Sequence, residues 1–261
     1  MSEDILSLAP PPADARLAYG ADPNQFGELR LPKTINLPAS GQALPIVMNI
    51  HGGYWRAKYN LVHAGHLCAA LTAKGLATWN LEYRRVGNQG GGWPGTFEDI
   101  VNGYRFLRQI TQRCNLDPNR VVIMGHSAGG QLALCLAGHE LSVKNAVSLA
   151  GVVDLQRAWG LHLSNDAVVE FLGGKPNEVP DHYHEADPMQ LKISKATEWL
   201  IHGSADDVVP SDFSRRYVGK KKRRGENVHL LEIENAGHFE LIDPRSTAWK
   251  QVEKTVSDLL S

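Results

Sequence analysis

The chain has 261 residues, 43% of them hydrophobic and 21% charged, with a formal net charge of −1. That balance suits one soluble domain with a sizeable core. The near-zero charge offers no field to draw nucleic acid or an anionic membrane, and no apolar run is long enough to span a bilayer.

The first residues, Met1-Ser2-Glu3-Asp4-Ile5-Leu6, are acidic and lack the basic start and apolar stretch of a secretory signal. Cys68, Cys114 and Cys135 are widely spaced and odd in number. They fit reduced thiols in a cytoplasmic protein rather than a disulfide framework. None sits on a turn beside a candidate base. Residues 1–40 read as an N-terminal arm and a first strand. Pro10-Pro11-Pro12 breaks any helix, and Ala18-Tyr19-Gly20-Ala21-Asp22-Pro23 reads as a turn. Gln25-Phe26-Gly27-Glu28-Leu29-Arg30-Leu31-Pro32 alternates as an edge strand, and Pro38-Ala39-Ser40-Gly41 is a second turn.

Residues 45–50 are a short apolar strand that runs straight into His51-Gly52-Gly53-Tyr54-Trp55. Leu61, Leu67, Ala70 and Leu71 recur at helical spacing, with Gly75 as the C-terminal stop. Residues 76–84 are a strand, followed by a glycine-rich loop with Trp93 and Pro94. Thr96 is placed to cap the next helix, with Asp99 in capping-box position. Arg120-Val121-Val122-Ile123 is a buried strand, and residues 131–137 are a helix. Residues 144–150 form a further core strand. Residues 152–196 are irregular and read as a cap-like insertion over the top of the sheet. A strand ending in His202-Gly203, a helix over 211–223, a strand over 228–233 and a helix over 244–260 complete the chain. Strands alternate with helices, and the core strands are near-continuous apolar runs. The expected fold is therefore α/β: one domain over residues 1–261, with a mostly parallel sheet covered on both faces.

Between the strand at 120–123 and its helix stands Met124-Gly125-His126-Ser127-Ala128-Gly129-Gly130. This places G-x-S-x-G at a strand-to-helix turn, the context that lifts a serine hydroxyl into a cleft. A serine needs a base, and the base needs an orienting carboxylate. His202-Gly203-Ser204-Ala205-Asp206-Asp207 puts two carboxylates in a loop after a strand. Asn235-Ala236-Gly237-His238 puts a histidine after the next strand. Ligands bind beyond the C-terminal ends of parallel strands, so His51, Ser127, Asp206 and His238 should meet at one edge. Negative charge on a tetrahedral oxygen needs backbone N–H donors fixed in advance. The N–H of Ala128 and one from the His51-Gly52-Gly53-Tyr54-Trp55 loop are the expected pair.

From about residue 17 onward the chain resembles an α/β-hydrolase. His51-Gly52-Gly53 is similar to the oxyanion motif of hormone-sensitive-lipase-like esterases, and the fuller His51-Gly52-Gly53-Tyr54-Trp55 resembles the kynurenine formamidases (arylformamidases). The resemblance implies Ser127 as nucleophile, Asp206 as acid and His238 as base. It implies oxyanion donors at Gly52, Gly53 or Tyr54 together with Ala128. Tyr54 stands where the lipase pattern has a third glycine, which implies a small acyl pocket. Tyr54, Trp55, Trp93 and His126 are the expected substrate contacts, with packing over the helix as the alternative role for Trp93.

Other features have plainer readings. His63 with His66, and His182 with His184, make no recognised metal motif. Lys220-Lys221-Lys222-Arg223-Arg224 reads as a solvated helix end. Gly90-Gly91-Gly92 lacks the lysine of a phosphate loop and reads as a flexible loop near the site mouth. The expected protein is a serine hydrolase needing neither metal nor cofactor, acting through an acyl-enzyme on a small-molecule ester or formamide. Carboxylesterase and arylformamidase activities stand level. A non-catalytic hydrolase-fold ligand-binding protein is the alternative from another class. No nucleic-acid or membrane partner is expected, and the oligomeric state is left open, a homodimer included.

Overall fold

The computed structural model of the chain describes residues 2–33 and 43–261. The turn expected at Pro38-Ala39-Ser40-Gly41 lies outside the described residues. One eight-stranded sheet runs through the molecule in the order β1-β2-β4-β3-β5-β6-β7-β8. Its strands are β1 (Ala15–Ala18), β2 (Phe26–Arg30), β3 (Leu44–Ile50), β4 (Ala77–Leu81), β5 (Leu116–His126), β6 (Asn145–Leu149), β7 (Thr197–Gly203) and β8 (Val228–Ile233). β1 and β2 pair antiparallel, as do β2 and β4, and every other pairing is parallel.

The apolar runs are near-continuous because each central strand feeds two cores. Along β3, Ile46, Met48 and Ile50 enter one cluster and Val47 the other. On β5, Ile123 and its neighbours Val122 and Met124 divide the same way. Helices α2 (Gly95–Arg113), α3 (Ala128–His139) and α7 (Asp212–Arg223) cover the first face with Ile100, Leu132 and Phe213. Helices α1 (Gly65–Ala73) and α8 (Trp249–Asp258) cover the second with Leu67 and Val252. Because the sheet is buried on both sides, alternation gives way to continuous hydrophobic runs.

Several local expectations are corrected. β1 escapes the pattern reading because it is a four-residue edge with only half-buried alternate positions. Ser2–Leu6 is a 3-10 turn anchored by the buried Ile5. α2 is not held by a capping box. The Thr96 hydroxyl donates to Arg84 O and accepts from Gly92 N–H, while Asp99 binds the Arg84 guanidinium at 2.7 Å. In the Gly90-Gly91-Gly92 loop, the Gly91 N–H bonds Asn88 O at 3.0 Å, and a Cβ on Gly91 would meet Arg85 O at 1.9 Å. The stretch between β6 and β7 holds three short helices, α4 (Leu155–Gly160), α5 (Ala167–Leu172) and α6 (Pro180–Ala186). Each is too short to show a 3.6-residue period. α8 begins at Trp249, later than expected, because Asp243 and Ser246 build a turn before it.

Candidate active site

β5 ends at His126 and α3 begins at Ala128, so Ser127 alone makes the reversal, at φ 56° and ψ −120°. A non-glycine residue there carries strain of about 1–3 kcal/mol. The surroundings hold it: Ser127 N–H bonds Leu149 O at 2.8 Å, and Gly130 N–H bonds Ser127 O at 2.9 Å. The flanking glycines are demanded by close approach. A Cβ on Gly125 would lie 2.0 Å from Gly129 O, and one on Gly129 would lie 2.1 Å from Ile50 O. Ala128 opens α3, where the first N–H groups have no intrahelical acceptor and the helix dipole is positive.

Asp206 and His238 arrive from the loops after β7 and β8. Asp206 Oδ2 lies 2.7 Å from His238 Nδ1, and its Oδ1 accepts from the N–H groups of Val208 (2.9 Å) and Val209 (2.8 Å). Burial opposes the Asp206 charge. The donated hydrogen bonds from His202, His238 and the backbone more than offset it, so the carboxyl is held well below the usual range. A carboxylate can only accept, so His238 Nδ1 carries the proton and the lone pair of the neutral ring is on Nε2. Asp207 is exposed.

His126 does more than flank the serine. Its Nε2–H donates to His238 O at 3.1 Å, fastening the backbone of the histidine loop to the elbow. Burial, then the neighbouring His238, keeps the His126 ring neutral by pushing its pKa well down.

The loop after β3 is wound left-handed over three residues, with φ of 113° at Gly53, 50° at Tyr54 and 58° at Trp55. It lies against the elbow: a Cβ on Gly52 would come within 2.8 Å of His126 O and 3.0 Å of Ser127 Cβ. His51 pins its start, with Nε2 at 2.8 Å from Glu82, Nδ1 at 2.8 Å from Gly52 O, and its ring stacked on Tyr83 at 4.4 Å. Burial alone would raise the Glu82 pKa, but His51 and Arg85 beside it bring it below the ordinary value. The Tyr54 hydroxyl donates to Val208 O at 3.1 Å, joining this loop to the one that carries Asp206. Burial, then Asp206, pushes the Tyr54 pKa up to about 12, so the hydroxyl keeps its proton.

Two expected substrate contacts are elsewhere. Trp55 is 1% exposed, stacked on Phe171 of α5 at 4.5 Å, with Nε1–H donated to Gln131 at 3.0 Å. It supports the loop from behind. Trp93 stacks on Phe97 at 5.2 Å and meets Phe171 edge-on at 6.2 Å, its packing role. Arg56 completes the tie to the insertion through Glu170 (2.7 Å) and Ser164 O (2.8 Å).

Gly53, Tyr54, His126, Ser127 and His238 line one cavity of about 230 Å³. Gly52 and Ala128, the other two expected oxyanion positions, are buried and are not among the residues that line it. Sequence reasoning missed other walls of the cavity: Tyr59, His63 and Ser164, and Glu3 and Leu6 from the N-terminal 3-10 turn. Only the φ of 50° at Ser164 sets that residue apart, and it is invisible before folding. A larger groove of about 640 Å³ runs past Tyr104, Arg108 and Lys144, but among its lining residues there is no serine–histidine pair. Among the described residues, no group of three or more His, Cys, Asp or Glu could hold a metal ion. No helix among them is long and apolar enough to cross a membrane.

His63 is pushed down to about 3 by burial and then by His51. The unfolded chain takes up this proton near pH 6.5 and the folded one does not. Folding stability from this group is therefore complete above about 6.5 and falls as pH drops toward 3, by up to about 1.4 kcal/mol per pH unit. Urea unfolding of His63→Phe between pH 7 and pH 4 should show a flatter fall than the wild type. A slope unchanged by the substitution would contradict the neutral buried ring.

The BD-FAE family matches residues 34–220, a span that holds Ser127 and Asp206 and stops before His238. The chain belongs to the BD-FAE family. Among curated relatives of this BD-FAE chain, esterase LipC of Mycobacterium tuberculosis is 26% identical over 255 residues, covering 89% of this chain and 61% of LipC. The chain spans about three fifths of the length of the first curated relatives it matches. Among solved structures, a truncated carbohydrate esterase from gut microbiota aligns with a TM-score of 0.79 and 20% identity, over 97% of this chain and 99% of that one. A thermophilic esterase from Thermogutta terrifontis, Est2, aligns with a TM-score of 0.75 and 21% identity, over 96% of this chain and 93% of that one. These alignments and the sheet order give the BD-FAE chain the α/β-hydrolase fold.

Proposed function

We propose that the protein is a serine hydrolase that cleaves small esters or formamides through an acyl-enzyme. The observation that carries this reading is that Ser127 and His238 line one cavity while Asp206 holds His238 from behind at 2.7 Å. His238 Nε2 takes the Ser127 proton as Oγ attacks the carbonyl carbon. The N–H of Ala128, with one from Gly53 or Tyr54, receives the developing oxyanion. His238 then returns the proton to the leaving group, and water activated by the same nitrogen releases the acid. No cofactor has a part in these steps.

The same arrangement supports a small acyl group. Tyr54, the bulky residue that follows the two glycines of the loop after β3, is part of the cavity wall. Formyl, acetyl and butyryl groups are the acyl groups expected beside Tyr54. Tyr59 and Phe239 add flat surfaces for an aromatic leaving group, with ring contacts of about 0.5–1.5 kcal/mol beyond area burial. The esterase names among relatives favour carboxylesterase chemistry. The aromatic walls favour an aryl partner, which keeps arylformamidase as the second reading. The test is kcat/KM across p-nitrophenyl esters of rising chain length, beside N-formylkynurenine. A maximum at two to four carbons is expected, and one at eight carbons or longer would refute the small acyl pocket. Turnover of acetate without formylkynurenine selects the esterase.

A further inference from the structure

His238 is not the only histidine on the Asp206 carboxylate. His202, the penultimate residue of β7, is fully buried and places Nε2 at 3.2 Å from Asp206 Oδ2 and 2.9 Å from Val209 O. Both of these partners are acceptors, so Nε2 carries the ring proton. Nδ1 is hydrogen-bonded to the hydroxyl of Ser214, a buried residue of α7, at 2.7 Å. The ring is thus held by a hydroxyl on one side and a carbonyl on the other. Asp206 receives three N–H groups in hydrogen bonds, Val208 and Val209 on Oδ1 and His238 on Oδ2, and the His202 Nε2–H, bonded to Val209 O, lies against Oδ2 at 3.2 Å.

Resting on the hydrolase reading above, we propose that His202 is a positioning residue: oriented by Ser214, it shares Asp206 Oδ2 with His238 and disperses the charge that His238 meets. An N–H group held 3.2 Å from a carboxylate oxygen lowers its basicity by favouring the charged form. With His202 in place, the pull of Asp206 on a protonated His238 is moderated, and His238 releases its proton at lower pH than it otherwise would. Facing His238, the His126 ring lies 4.5 Å away and is kept neutral by burial, and Tyr54, which faces Asp206, keeps its proton. Glu232 lies opposite His202 on β8 and is bound by Arg215 of α7, and Asp207 in the following loop is exposed. Neither replaces the donor that His202 supplies.

The test uses the whole protein and three variants. His202→Phe keeps a ring of similar volume and removes both hydrogen bonds. Asp206 is still held by the Val208 and Val209 N–H groups, so it should stay in place with a more basic Oδ2. The ring titration of His238, followed by NMR, should then move up by about half a unit to one unit. The acid limb of kcat/KM should move with it, and KM should stay the same. His202→Gln, which returns a donor near the Nε2 position, should bring both back toward wild type. Ser214→Ala releases one side of the His202 ring and should give a smaller shift in the same direction, which serves as the test if His202→Phe does not fold. A folded variant in which the His238 titration is unchanged or falls would overturn the proposal, since a purely structural His202 would lower stability without moving that midpoint. The NMR shift without turnover by the wild type would instead defeat the hydrolase reading.

Discussion

Ser127→Ala lowers kcat by about 10⁴–10⁶-fold and leaves the fold in place. Activity should be lost because no other hydroxyl stands where Ser127 does, alone between β5 and α3 at φ 56°. Alanine adopts that backbone at no greater steric cost than serine, and the hydrogen bonds that hold the turn come from the main chain. The cost is thus catalytic. Loss of a nucleophile that acts as one unit with its base removes most of the rate and leaves the contribution of the oxyanion donors and of binding. Burst and steady-state kinetics on p-nitrophenyl acetate, beside circular dichroism, measure both halves. Residual turnover within about tenfold of wild type would remove Ser127 from the mechanism.

Asp206→Asn should cost about 10⁴-fold in kcat, and Asp207→Asn less than about tenfold. The contrast follows from their surroundings. Asp206 receives N–H groups on both oxygens, and an amide there must turn an NH₂ toward donors that already point at it. The least costly relief is for His238 to shift its proton from Nδ1 to Nε2, which leaves it unable to accept from Ser127. Asp207 is exposed and its neutral analogue disturbs nothing in the cavity. Acid sensitivity should follow the same residue. The folded pKa of Asp206 is depressed, so its contribution to stability is present above the unfolded value of about 3.9 and is lost as pH falls further. The reverse ranking of the two asparagine variants would overturn the assignment.

How much of this was legible beforehand follows from range. The elbow is a local feature: five consecutive residues, Gly125-His126-Ser127-Ala128-Gly129, carry both the reversal and the absence of Cβ atoms that the close contacts require. The parallel sheet was legible because continuous apolar runs of five to seven residues fit few other structures. Trp55 was misread because an aromatic beside Gly52 and Gly53 gives no sign of which way it turns, and the partners that bury it, Gln131 and Phe171, are distant in sequence. Glu3 and Leu6 were missed for the same reason, since a short acidic turn has no pattern that says where it docks. The second role of His126, holding His238 O, depends on a contact 112 residues away. Periodicity reports the faces of elements; it does not report which loops meet above the sheet.

Ser127 Oγ, activated by His238, should carry the acyl group during turnover. The most direct measurement is labelling of the purified protein with a fluorophosphonate, followed by mass spectrometry of the peptides. The account predicts one adduct per chain, on Ser127, lost in Ser127→Ala and strongly slowed in a His238→Ala variant. An adduct on another residue, or wild-type protein that turns over esters yet takes no label, would contradict it.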